Sequence, residues 1–339
     1  MILSKRNIVL FIVVIACFVS LYAISICYHF FRTPLTPKEA VAASVKVYPN
    51  QTVSELIQRL TANHIVQHPW LFALLIKTIE DQHPLRFGEY SLAYPTTAWQ
   101  LLKNITTGKG LTQHRLTIIE GWTFRDIRDA MLQDENLTQE LGGKSSRVLL
   151  QLLGSTYKNP EGLFYPNTYF FTWRNADITI YKTAYQAMQA ILQKAWENRA
   201  PDLPYQNAYQ ALIAASLIER ETPIAAEKPL IADVIVNRLN KRMRLQIDPT
   251  VQYGLREPFG EIITKKDLKT KTPYNTYFIY GLPPTPICMP STASIEAALH
   301  PEKTGYLYFV ATGDGGHRFS RTYGEHQIQV KQYREELKS

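Results

Sequence analysis

The chain has 339 residues, 37 Lys plus Arg against 29 Asp plus Glu, and a formal charge of +8. A hydrophobic content of 45%, with 14 Phe, 5 Trp and 20 Tyr, excludes disorder as the dominant state and suits about two domains. Three cysteines exclude a disulfide-stapled scaffold and a cysteine-rich metal site, and the spread of the basic residues gives no polyanion-binding run.

Residues 8–28 (IVLFIVVIACFVSLYAISICY) carry no charge. A bilayer core takes about 20 apolar residues as helix, so this run reads as a transmembrane helix after a cytoplasmic tail, residues 1–7. It is too long for the apolar core of a cleaved signal. Val14-Ile15-Ala16-Cys17 loosely resembles a lipidation box, but the run continues for eleven residues past Cys17. Lys5 and Arg6 flank one side, Arg32 and Lys38 the other; the short tail with its α-amino group tips the orientation toward N-terminus inside. Everything beyond is then exported, and Cys288 is the one exported cysteine.

Residues 29–44, with Pro34 and Pro37, read as an extended linker. Val45-Lys46-Val47 alternates like a strand, and Asn50 or Thr52 caps a helix carrying Val53, Leu56, Ile57 and Leu60. The same strand–cap–helix phrase returns 71 residues later around Thr123, Phe124 and Ile127. Both copies are expected in one small mixed domain. Between them lie helices over residues 69–79 and 97–105 and a strand over 86–92. Gly142-Gly143 marks a boundary near residue 145. Beyond it follow an aromatic loop (161–171) and helices over 179–199 and 206–220. Another helix begins near Pro229, and a hairpin pairs residues 306–310 with 318–320 across Gly313-Asp314-Gly315-Gly316.

Several catalytic patterns fail. Gly143-Lys144-Ser145 has Thr138 where a phosphate loop needs glycine; His64 and His68 have Ile65 between them, not a zinc protease's glutamate. No metal or other cofactor is implied. The informative stretch is ALIAASLIERE, residues 211–221. Glu219 continues the stripe of Leu212, Ala215 and Ser216 on a helix apolar all round, hence buried. Burial raises a carboxyl pKa, and a protonated carboxyl near neutral pH is a general acid. The alternatives are an ion pair between Glu219 and Arg220, Arg238 or another base at a helix end, or Glu221 as the working acid. Gln246, Asp248, Thr250 and Tyr253 fall in a segment read as extended; Tyr274, Asn275 and Tyr277 follow. Amides, hydroxyls and rings of this kind bind sugars and equally build loops.

With ASLIERET (215–222), VIVNRL (234–239), MRLQIDPTVQYG (243–254), YNTY (274–277), GLPPTPI (281–287) and HPEKTGYLYFV (300–310), the sequence resembles the endolytic murein transglycosylases of the YceG-like family. EGWTFRDI (120–127) and EGLFYPNTY (161–169) resemble it too, except that Asn167 stands where Asp is expected. The resemblance implies an α+β architecture: the membrane anchor, a small LysM-like mixed domain (45–145), and a mixed α/β catalytic domain (146–339). It implies an inner-membrane, single-pass enzyme whose periplasmic part cuts peptidoglycan glycan strands internally. Glu219 is then catalytic, and the partners are peptidoglycan synthases at nascent strands. The family chemistry uses one carboxylate. It protonates the leaving oxygen, then accepts the proton of the sugar's own 6-hydroxyl, leaving a 1,6-anhydro end. Asp248 keeps a two-carboxylate hydrolase open, and a non-catalytic peptidoglycan-binding anchor is the competing class. The charge pattern disfavours nucleic acid.

Overall fold

Helix α1 (Lys5–Arg32) opens the chain and is about 42 Å long at 1.5 Å per residue, enough to cross a bilayer. The computed structural model describes residues 5–36, 43–80, 85–313 and 315–336. The chain divides into two units, Met1–His114 with Phe171–Arg174, and Arg115–Phe170 with Asn175–Ser339.

In the first unit, β1 (Ser44–Val47) pairs antiparallel with β2 (Gly88–Ser91), Val45 opposite Tyr90. Val45, Val47 and Tyr90 are buried, as the alternation requires. Helices α2 (Val53–Ala62), α3 (Pro69–Glu80) and α4 (Ala98–Thr107) cover them. Leu56, Leu60, Phe72, Ile76, Leu101 and Ile105 form the core, which Ile26 and Phe30 of α1 join. Thr52 and Thr97 each close a capping box, with Glu55 and Gln100 reaching back to the cap's own amide.

The expected linker is shorter than read. α1 runs to Arg32, and Leu35 N donates to Thr96 O while Thr36 Oγ1 donates to Leu92 O. These backbone and hydroxyl bonds fasten residues 33–36 to the unit; Pro37 and Lys38 lie outside the described residues.

The second unit contains the end of β3 (Gln113–Thr117), α5 (Phe124–Gln133), β4 (Leu137–Thr138), α6 (Ser146–Leu152), most of β5 (Thr168–Thr172) and β6 (Asn175–Ala176). Then come α7 (Asp177–Glu197), α8 (Ala208–Glu221), α9 (Lys228–Asn240), α10 (Asp248–Leu255), α11 (Lys265–Lys269) and α12 (Thr292–Leu299). The antiparallel hairpin β7 (Tyr308–Ala311) and β8 (His317–Ser320) and α13 (Tyr323–Glu336) complete it. Asp314 of the hairpin turn lies outside the described residues. α8 is the hub: every residue from Ala211 to Ile218 is buried, with α7, α9, α10 and α12 packed around it. A helix apolar on all sides can only sit in such a place.

Three expectations change. The compact division falls after His114 rather than near residue 145. The two similar strand–cap–helix phrases consequently belong to different units. Their likeness is local, a Thr cap with an acid three residues on, and such a box recurs at Thr264 with Asp267. Finally, residues 248–255 are helical, not extended. Asp248 in the first turn and Pro249 near the start are helix-opening residues.

Candidate active site

Glu219 stands on the last turn of α8. One turn earlier, Ser216 fixes a downstream segment to this helix. Its Oγ accepts from Ile287 N at 3.0 Å, and Cys288 Sγ donates to its carbonyl at 3.3 Å. Cys288 is fully buried. The segment then delivers Ser291, the N-cap of α12, to the Glu219 carboxylate.

Four donors converge on one oxygen. Glu219 Oε2 accepts from Ser291 N at 2.9 Å, Ser291 Oγ at 2.5 Å, Ser294 Oγ at 2.6 Å and Lys228 Nζ at 3.1 Å. Lys228 also donates to Ser291 Oγ at 3.1 Å, and its side chain is only 7% exposed. Oε1 takes no hydrogen bond among the described residues. The carboxylate is thus held by one oxygen and presents the other.

This arrangement corrects the expected protonation state. Burial alone raises the Glu219 pKa, as the sequence suggests. The bonds from Ser291 and Ser294 and the Lys228 charge outweigh it and hold the carboxyl below its ordinary value. Of the bases considered for pairing with Glu219, the partner is one at a helix end, Lys228, rather than Arg220 or Arg238. Arg220 turns the other way, with its guanidinium carbon 4.0 Å from the Phe259 ring centroid and Nη1 donating to Gly121 O. Gly121 has φ +80°, the left-handed region that favours glycine, and a side chain there would also stand 2.9 Å from Arg220 Nη1 and displace the guanidinium.

Two other carboxyls carry the raised pKa expected of Glu219. Burial pushes Glu221 up to about 8, helped by Asp248 and opposed by Arg238; its Oε2 is buried without a hydrogen-bond partner among the described residues. Burial pushes Glu161 up to about 7, although Tyr253 Oη and Phe124 N, each 2.9 Å away, donate to it. Glu161, Tyr253, Tyr274, Phe259, Arg125 and Asp126 line a cavity of about 800 Å³. Glu219 does not line it; Arg220, its chain neighbour, packs on Phe259 of its wall.

The expected sugar-binding residues divide by exposure. Gln246 is exposed at φ +52°, and its backbone N–H donates to Thr276 O. Asp248 is exposed and accepts Tyr277 Oη at 2.5 Å. Tyr253 and Tyr274 pack edge-to-face with centroids 4.8 Å apart, and the Tyr274 and Thr285 hydroxyls are hydrogen-bonded at 3.0 Å. Thr250 and Asn275 are fully buried. Thr250 Oγ1 binds Ile247 O and Thr276 Oγ1; Asn275 Nδ2 binds Leu268 O and Thr270 O, and its Oδ1 accepts Tyr277 N. These two hold the loop that presents the tyrosines.

Sequence reading missed Lys228, Ser291 and Ser294. Lys228-Pro229 reads as a helix start and Ser291-Thr292-Ala293-Ser294 as a cap, and each residue is also that. Glu161 sat inside a recognisable motif, but nothing local marked its burial.

Residues 45–332 match the YceG-like family. The chain is 29% identical over 318 residues to an endolytic murein transglycosylase of Bacillus subtilis, covering 88% of this chain and 87% of that protein. It is 26% identical over 313 residues to an endolytic murein transglycosylase of Streptococcus pneumoniae, covering 82% of this chain and 56% of that longer protein. A crystal structure of a putative YceG-like protein from Listeria monocytogenes superposes with a TM-score of 0.54 at 28% identity, covering 85% of this chain and 98% of that one.

Proposed function

The chain belongs to the YceG-like family, and on that footing we propose that it is an endolytic peptidoglycan lytic transglycosylase. It cleaves the MurNAc–GlcNAc bond within glycan strands and leaves 1,6-anhydro-MurNAc ends. The observation that carries this reading is the Glu219 carboxylate, anchored through Oε2 by four donors with Oε1 unbonded. A single carboxyl that must give a proton and then take one back needs a fixed position and one working oxygen.

In this mechanism Oε1 carries the proton to the leaving glycosidic oxygen. The resulting carboxylate accepts the proton of the 6-hydroxyl as that oxygen closes on C1, so water is not consumed. The resting site favours the ionised form. A glycan covering Oε1 displaces water from it, which penalises the charge and moves the carboxyl toward its acid form. Lys228 and the two serines take up the charge when the proton has left. Tyr253, Tyr274, Tyr277 and Asp248 supply rings and polar groups for sugar contacts, with Gln246 just before α10 and bonded through its backbone to Thr276.

The first unit serves in this reading as a LysM-like glycan-binding module. α1 is the single inner-membrane anchor, with the remainder periplasmic, close to the synthases whose nascent strands it terminates. Incubation with purified sacculi tests the central claim. Anhydro-ended muropeptides are expected; pulldown with sacculi and no new ends would instead identify a non-catalytic binding protein.

A further inference from the structure

We propose that the outward stripe of α3, bearing Trp70 and Leu74, lies in the lipid headgroup and acyl boundary of the membrane that α1 spans, making α3 a second, in-plane membrane contact. The proposal rests on the anchor reading of α1. Trp70 and Leu74 are four residues apart and therefore share one face of α3. They are 58% and 55% exposed, whereas Phe72, on the opposite face, is fully buried. An isolated exposed Leu needs no explanation, but a Trp and a Leu on one stripe of a helix that is also apolar inside do.

Position in the fold selects the occupant. Phe30, near the end of α1, packs on Phe72 with ring centroids 6.2 Å apart, and both belong to the core of the first unit. The uncharged run of α1 ends at Tyr28. Its 21 residues span about 30 Å, the thickness of a hydrocarbon core, so Phe30 stands at the membrane boundary. Phe72 is then within a ring contact of that boundary, and Trp70 and Leu74, about one helix diameter away across α3, stand near it. Trp is favoured at that level because its ring is apolar and its N–H polar. Exposed Lys77 is three residues beyond Leu74, where its ammonium reaches phosphate headgroups while its stem stays apolar.

The test uses the full chain with Cys17 and Cys27 changed to Ser, reconstituted in phosphatidylethanolamine–phosphatidylglycerol vesicles. Nitroxide labels are placed by Leu74→Cys, Trp70→Cys, Phe18→Cys within α1, and Gln58→Cys on the exposed face of α2. Relaxation by oxygen reports lipid, and relaxation by a water-soluble nickel chelate reports solvent. The expected result is a shift from nickel-dominated relaxation at Gln58 to oxygen-dominated relaxation at positions 70, 74 and 18. Nickel-dominated relaxation at 70 and 74 with oxygen at 18 overturns the proposal and leaves the anchor intact. Nickel at 18 overturns the anchor reading itself. Shielding of 70 and 74 from both relaxants overturns the proposal in favour of a second copy of the chain on this face.

Discussion

Lys228 Nζ lies 3.1 Å from Glu219 Oε2, and neither side chain is more than a tenth exposed. The two come from the C-terminal turn of one core helix and the first residue of the next. A buried pair of this kind adds little net stability against apolar replacements, yet breaking it strands a charge at a cost of about 3–5 kcal/mol. The pair is therefore best understood by its effect on the carboxyl group.

Glu219→Gln should remove most anhydro-end production from sacculi, by ~10²–10⁴-fold, because Gln fills the same space and cannot transfer a proton. Glu221→Gln should leave most activity, since residue 221 lies about 200° around the helix from residue 219. The reverse pattern in a muropeptide assay would move the catalytic role to Glu221.

Because its partners hold Glu219 below its ordinary pKa, its acid form grows more abundant as pH falls. kcat/KM should accordingly increase from pH 7 to pH 5 over the range in which the protein stays folded. Ser294→Ala removes one lowering hydrogen bond and should displace this limb toward higher pH. A profile identical to the parent's would remove Ser294 from the tuning of the acid.

Lys228→Met should lower stability by about 3–5 kcal/mol by leaving the Glu219 charge uncompensated. The double variant Lys228→Met, Glu219→Gln should recover much of that loss. Denaturant titration of the two variants distinguishes this coupling from a simple packing defect, which the second substitution would leave unrelieved.

Glu221 has a folded pKa of about 8 against an ordinary value of 4.5. Between those pH values the folded chain keeps a proton that the unfolded chain has lost. Stability contributed by this group is therefore full below about pH 4.5, declines with rising pH, and levels off above about 8. Glu221→Gln should make the melting temperature fall less between pH 5 and pH 8. An unchanged slope would mean that Glu221 ionises freely in the folded protein.

Thr250→Val should act on stability and not on sugar binding. Thr250 is fully buried and its hydroxyl pairs with Ile247 O and Thr276 Oγ1. Leaving that neighbourhood unsatisfied costs about 1–3 kcal/mol. A raised KM at unchanged melting temperature would assign it to the glycan instead.

What was legible in the sequence was what local chemistry decides. The Thr52 and Thr123 caps, the apolar helix around Ala211–Ile218 and the Tyr308–Ser320 hairpin follow from spacing and capping. α13 was not anticipated: it buries none of its residues, so no apolar stripe announces it. The protonation of Glu219 was misjudged for a different reason. Its burial is written in its own helix, but Ser291 and Ser294 lie 72 and 75 residues downstream. No local pattern connects them. Glu161 and Tyr253, 92 residues apart, illustrate the same limit.

The separation between Glu219 and its serines also sets an order of events. A chain made from its N-terminus produces the carboxylate long before Ser291 and Ser294 exist to hold it, and Lys228 alone arrives early. Until the segment after Ile287 settles against Ser216, the carboxylate lacks its bonds from Ser291 and Ser294. The anchored form of the acid is thus completed only once the downstream segment docks, and a product truncated before Ser291 lacks both serines that hold it.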